Sequence, residues 1–197
     1  MGTKDDGLFR LDRNGGITNY GTAPHQNMLS SSYVRCVVED NLGNYWIGTF
    51  KGLDKLDVTT GTFTHYSKDN KPYSLSNSSI ICMMKDRQGT FWIGTYYGGV
   101  NLFNPDYEIY TYYYPDESQK GKLTSPFAGR MTEDSNGGIW IATEGGGVNY
   151  LDKKTKTFTE YKHDATKNSL ASNTIQGLFL DEDNHALWIG TLRGGLD

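Results

Sequence analysis

Cysteine, proline and histidine are all scarce in this chain of 197 residues, at two, five and four, and each scarcity removes a class of explanation. Two cysteines cannot build a disulfide framework or a cysteine-rich metal centre. Cys36 and Cys82 stand 46 residues apart at matching places in successive repeats, and read as small buried thiols packed between units. His25, His65, His163 and His185 are scattered, with no pair at metal-ligand spacing, so neither a metal nor a cofactor is expected. Basic side chains are outnumbered, 19 against 23 acidic ones, for a formal net charge of −4; without a basic stripe, nucleic acid is not a partner of this segment. No apolar run approaches the roughly 18–20 residues that cross a bilayer. Neither a Gly-x-Ser-x-Gly elbow nor a phosphate-cradling Gly-Lys-Ser/Thr loop occurs, and no catalytic residue is assigned.

What the chain does have is a four-fold echo: Trp46-Ile47-Gly48-Thr49, Trp92-Ile93-Gly94-Thr95, Trp140-Ile141-Ala142-Thr143 and Trp188-Ile189-Gly190-Thr191, spaced by 46, 48 and 48 residues. Around each copy lie short strand-like runs rich in β-branched and aromatic residues, punctuated by turn chemistry such as Asp40-Asn41-Leu42-Gly43-Asn44. A period of about 40–50 residues with one tryptophan per unit marks a β-propeller, each unit a blade of four antiparallel strands with the first nearest the axis. The fold class is therefore all-β, a propeller of about four repeats. Complete blades are predicted over 33–66, 79–114 and 127–162, two outer strands of another over 1–20, and the start of a further blade over 174–197. The first strand of a unit, as in Tyr33 to Glu39, reads as buried on both faces. Because the echo is cut at both ends, the chain is expected to be a segment of a larger array. Its end units either close on each other as one shared blade, stay open, or bury their faces in a homodimer.

The recurring pattern Asp-x-x-Gly-x-x-Trp-Ile-Gly-Thr, carried well by Glu39-Asp40-Asn41-Leu42-Gly43-Asn44-Tyr45-Trp46 and Glu133-Asp134-Ser135-Asn136-Gly137-Gly138-Ile139-Trp140, closely resembles the two-component regulator propeller repeat. The departures are small: Ala142 stands for a glycine, and the turn at Asp181-Glu182-Asp183-Asn184-His185 carries one extra residue. The resemblance implies a seven-bladed extracytoplasmic sensor of a hybrid two-component regulator from carbohydrate-degrading gut bacteria. It would be periplasmic, with a signal peptide, a membrane helix and a histidine kinase core outside these residues. It also implies an oligosaccharide ligand and the remaining blades of the parent chain as partners. A glycan-acting propeller enzyme, lyase or sialidase-like, is the competing reading, and a purely structural segment a third. The Asp-box of sialidases separates its aspartate and glycine by one residue where this pattern has two. Asp40, Asp86, Asp134 and Asp181, with Trp46, Trp92, Trp140 and Trp188, are read as structural: turn capping and packing between blades.

Repeated positions serve packing, so the positions that vary between repeats are where a ligand would be read. On the face holding the loops between second and third strands stand Phe50-Lys51, Tyr96-Tyr97, Glu144 and Leu192-Arg193. The blade connections add Lys71-Pro72-Tyr73, Gln119-Lys120-Gly121-Lys122 and Lys162-His163-Asp164. At the mouth of the inner strands matched positions hold Arg35, Ile81, Gly129 and Gln176, followed by Cys36, Cys82, Arg130 and Gly177. Tyr96, Tyr97, Arg35, Arg130, Lys51 and Arg193 are the leading binding candidates, tyrosines for sugar faces and cations for charged or sulfated groups. Tyr110, Tyr112, Tyr113 and Tyr114 fall on an outer strand, where packing is the better reading.

Overall fold

Five antiparallel sheets follow one another along the chain, with no helix among the residues that the computed structural model describes, 1–21, 27–69, 74–104, 109–116 and 121–197. A hairpin of β1 (Leu8–Leu11) and β2 (Ile17–Tyr20) comes first. Three four-stranded meanders follow: β3 (Val34–Glu39), β4 (Tyr45–Thr49), β5 (Leu53–Leu56) and β6 (Phe63–Tyr66); β7 (Ile80–Lys85), β8 (Phe91–Thr95), β9 (Gly99–Asn104) and β10 (Ile109–Tyr113); β11 (Ala128–Glu133), β12 (Ile139–Thr143), β13 (Val148–Asp152) and β14 (Thr157–Tyr161). The last sheet holds β15 (Ile175–Asp181), β16 (Ala186–Thr191) and β17 (Gly195–Leu196). The first strands of successive sheets pack side by side, β3 on β7, β7 on β11 and β11 on β15, which places them along the axis of a propeller arc. The hairpin β1–β2 and the sheet β15–β17 are separate, so the shared closing blade allowed by the sequence does not form and the arc is open.

Aspartates set the turns. Asp40 Oδ1 accepts the backbone N–H groups of Leu42 and Asn44, and Asp86 and Asp134 do the same two and four residues on. A second aspartate turn joins third and fourth strands, where Asp57 caps Thr59 and Thr60 and Asp152 caps Lys154 and Thr155. The bend between second and third strands needs glycine for a different reason. Gly99 and Gly147 have φ of 68° and 74°, and a Cβ there would press on the Tyr113 and Tyr161 carbonyls.

The core lies in the seams rather than inside single blades. One cluster joins Trp46 and Leu53 to Ile80, Phe91, Ile93 and Phe103 of the next blade. Another joins Trp92 and Val100 to Ala128, Ile139, Ile141 and Leu151. Trp46 Nε1 donates to Asp40 Oδ2 at 3.0 Å and Trp92 Nε1 to Asp86 Oδ2 at 2.9 Å, so the motif's aspartate closes the turn and satisfies the buried indole at once. In the third blade Asp134 takes the Tyr150 hydroxyl instead. Lys153 bridges a seam, with Nζ 2.8 Å from Asp86 Oδ2 and 3.4 Å from Glu133 Oε1.

Two sequence expectations need correction or explanation. The first inner strand is not buried on both faces: Val34 is buried but Val37 is 39 % exposed, because its outer side faces a cavity bounded by β1 and β2 rather than another inner strand. Ala142 is explained by its neighbours. A Cβ on Gly48 would lie 2.4 Å from Cys36 Sγ, and one on Gly94 would lie 2.7 Å from Cys82 Sγ. In the third blade Arg130, which lines the mouth, stands where the other two have these cysteines, and the Ala142 methyl packs with Val148 and Ile175 instead of against a thiol.

Candidate functional site

At one end of the inner strands each blade is tied off by a repeated hydrogen bond. The N–H groups of Phe50, Tyr96, Glu144 and Leu192 donate to the carbonyls of Tyr33, Ser79, Phe127 and Thr174, at 3.1, 2.9, 3.1 and 2.8 Å. Just inside this ring all four inner strands break register, between Val34 and Cys36, Ile80 and Cys82, Ala128 and Met131, and Ile175 and Gly177. Such bulges re-aim side chains. The residues within them, Arg35, Ile81, Gly129 with Arg130, and Gln176, all line one cavity of about 690 Å³ at the mouth. Tyr33, Tyr96, Phe127 and Glu144 complete its rim, and Cys82, Ala128 and Ile175 lie deeper.

The rim is organised by aromatic packing. Tyr96, Tyr97 and Phe127 meet edge to face, with centroids 5.7 Å apart for Tyr96–Tyr97, 5.2 Å for Tyr96–Phe127 and 4.2 Å for Tyr97–Phe127. On the first blade Tyr33 stacks on Phe50 at 6.2 Å. The Arg35 guanidinium carbon sits 4.6 Å from the Tyr33 ring centroid and 5.3 Å from that of Phe50. Arg35 Nη1 also donates to Ser79 Oγ at 2.9 Å and to the Ile80 carbonyl at 3.0 Å. Arg130 is exposed, with no hydrogen-bond or ion-pair partner among the described residues.

Below the mouth the two thiols are packing groups. Burial, together with the neighbouring Cys82 thiol, pushes Cys36 far above the ordinary thiol value, and burial pushes Cys82 up to about 12. The Cys82 thiol donates to the Gly129 carbonyl. Both remain protonated at neutral pH and carry no nucleophile.

Of the six leading candidates, Arg35, Arg130 and Tyr96 line the cavity, and Tyr97 joins them through Tyr96 and Phe127. Lys51 and Arg193 are exposed and lie outside the lining. Tyr113 stacks on Trp92 at 6.2 Å, a packing contact. His25, Lys71, Pro72, Tyr73, Gln119, Lys120 and the Tyr110 side chain lie outside the described residues. Tyr33 and Phe127 were missed by the sequence reading. They hold the position just before the inner strand, where the second and fourth repeats have Ser79 and Thr174, so this variation was the available signal.

Residues 28–51, 74–97 and 122–145 match the family described as two component regulator propeller. Three stretches of the chain are two component regulator propeller repeats. Each matched stretch runs from the blade connection through the inner strand and its aspartate turn to the second strand, so these repeats own both the seams and the mouth. No curated protein matches the sequence. Among solved structures, the extracellular domain of BT4673 from B. thetaiotaomicron superposes with TM-scores of 0.77 and 0.73 at 20 % and 22 % identity. Those two structures attribute it to a one component and to a hybrid two component system respectively; they cover 99 % and 96 % of this chain. A virginiamycin B lyase from Staphylococcus aureus superposes with a TM-score of 0.65 at 16 % identity, over 96 % of this chain and 61 % of the lyase. These likenesses establish the propeller fold. This chain spans about a quarter of the length of the BT4673 domains, at 25 % and 26 %.

Proposed function

We propose that this chain is a ligand-sensing propeller segment of a hybrid two-component signalling protein, facing the periplasm, with an oligosaccharide as its ligand. The observation that carries the reading is the mouth cavity. Repeats that keep the same aspartates, tryptophans and bulges place a different side chain at each bulge and rim position, as recognition requires and packing does not. The repeat family supports a regulatory role, and aromatic side chains beside polar ones suit a sugar, which offers apolar C–H faces and hydroxyl groups. The remaining blades of a longer chain, or a second copy of this one, would cover the outer faces of the end sheets. A histidine kinase on the same polypeptide would carry the signal to carbohydrate-utilisation genes.

The lyase superposition keeps an enzymatic reading in view, but among the described residues no histidine lines the mouth and its only carboxylate is Glu144. Screening the chain on a glycan array, then titrating hits by calorimetry, tests the sensor reading. The Tyr96→Ala/Tyr97→Ala double variant should weaken binding by about 1–3 kcal/mol with little change in melting temperature. Glycan turnover that disappears on Glu144→Gln would replace the sensor with an enzyme.

A further inference from the structure

The mouth has an uneven charge balance for so acidic a chain. Among the described residues two guanidinium groups line it against one carboxylate, Glu144, and neither arginine forms an ion pair there. Arg35 is fixed before any ligand arrives: both Nη1 hydrogens are taken by Ser79 Oγ and the Ile80 carbonyl, and its plane rests against Tyr33 and Phe50. A guanidinium has five N–H donors. The three on Nε and Nη2 have no partner among the described residues. Arg130, two blades away, has no hydrogen-bond or ion-pair partner among the described residues either, and lines the same cavity.

We infer that the ligand bears an acidic group, carboxylate or sulfate, on a polyhydroxylated ring, and that Arg35 and Arg130 hold that group between them. This rests on the funnel-mouth reading above and names the chemistry that fits it. A planar fork of donors matches two acceptor oxygens of such a group, and a held guanidinium loses little further freedom on binding. The anion also relieves the repulsion between two like charges gathered in one cavity. A neutral sugar would leave those donors to water. Elsewhere in the lining Glu144 and Gln176 offer acceptors for hydroxyl hydrogens, while Tyr96 and Phe127 offer surface for the ring's C–H face. Glu144 repels an acid placed beside it, which orients the acidic group toward the arginines.

The test is an NMR titration of the whole chain, following backbone amides and arginine Nε–Hε signals, with glucuronate, glucose 6-sulfate and glucose as probes. The acidic sugars should shift the Arg35 and Arg130 signals saturably and bind about tenfold or more tightly than glucose. Whichever acidic probe binds tighter identifies the group. Arg130→Gln, at an exposed side chain, should erase that advantage and leave the melting temperature in place. Should glucose bind as well as the acids, or the preference survive Arg130→Gln, the acidic-group inference falls while the mouth remains the site. If no probe moves any mouth signal, the funnel-mouth reading falls with it.

Discussion

Trp92 and Trp188 occupy the same place in the repeat, yet one is 1 % exposed and the other 45 %. Both carry the aspartate turn six or seven residues upstream, and both begin the same Trp-Ile-Gly-Thr strand. What differs is the neighbour. Trp92 is covered by the third blade, among Leu123, Ala128, Ile139, Ile141 and Leu151, with Lys153 Nζ 5.8 Å from its ring centroid. Among the described residues no further sheet covers Trp188. Trp140 is intermediate, resting on Tyr150 and Tyr161 of its own sheet at 4.6 and 5.6 Å. The motif thus makes a blade whose apolar side is finished only by the next one, and stability in this fold belongs to seams.

The sharpest way to break that comparison is to truncate both indoles. Trp92→Ala should cost about 3–5 kcal/mol in urea unfolding, as a cavity opens in a filled seam. Trp188→Ala should cost under about 1 kcal/mol, because much of that ring is already in water. Equal losses would mean that the tryptophan works within its own blade. A smaller effect sharpens the same contrast through the glycine two residues on. Gly48→Ala, forced against Cys36 Sγ and Ile80 Cγ2 at 2.4 and 2.7 Å, should destabilise by about 1–3 kcal/mol. Gly190→Ala meets nothing closer than 3.6 Å and should be neutral or slightly stabilising. Adding Cys36→Gly to Gly48→Ala gives the strand pair the glycine that the last sheet has at Gly177, and should recover part of the loss.

The seam carboxylate differs from the exposed one in a way that pH can read. Burial alone would raise the Asp86 carboxyl, but hydrogen bonds from Lys153, the Trp92 indole and the Thr90 N–H, with the Lys153 charge, outweigh it and hold the group below its usual value. A depressed carboxylate contributes stability that is fully present above the unfolded value near about 4 and is lost as pH falls through the folded one. The Lys153 ammonium is raised, burial being outweighed by Asp86 and Glu133, so its share is complete below about 10.4 and fades only in stronger base. Lys153→Met should therefore lower stability at neutral pH by about 1–3 kcal/mol and make the acid-side fall shallower. Asn184→Ala, which strips the exposed Asp181 turn of a partner, should leave both the neutral stability and the acid limb in place. Chemical denaturation from pH 2 to 9 measures both; an unchanged acid limb in the lysine variant would remove Lys153 from the seam.

The parts of the site that were legible in the sequence are those where repetition supplies a ruler. Arg35 stood out because Ile81, Gly129 and Gln176 fill its place, Arg130 because Cys36, Cys82 and Gly177 fill its own, and Tyr96 because Phe50, Glu144 and Leu192 do. Tyr33 and Phe127 escaped because the run entering the inner strand reads as apolar either way. Only the cross-strand ties to Phe50 and Glu144 put them on the rim. Lys51 and Arg193 are on loops equivalent to that of Tyr97, but the cavity is lined without them. A matched position locates a backbone, whereas the direction of a long side chain depends on its surroundings.

Sequence alone determined the blade, because strand length, turn aspartates and the tryptophan strand are local matters: alternation sets the faces, and a carboxylate two and four residues from its N–H partners closes a turn without distant help. Tertiary structure decided what lies between blades. It chose which tryptophan is dry, why Ala142 is accepted beside Ile175, and that the hairpin and the last sheet stay apart. It also set the register breaks that bring residues from four inner strands to one mouth. Those outcomes depend on contacts between residues some 46 to 48 positions apart, where the relative placement of two sheets, and not the pattern within either, fixes which atoms meet.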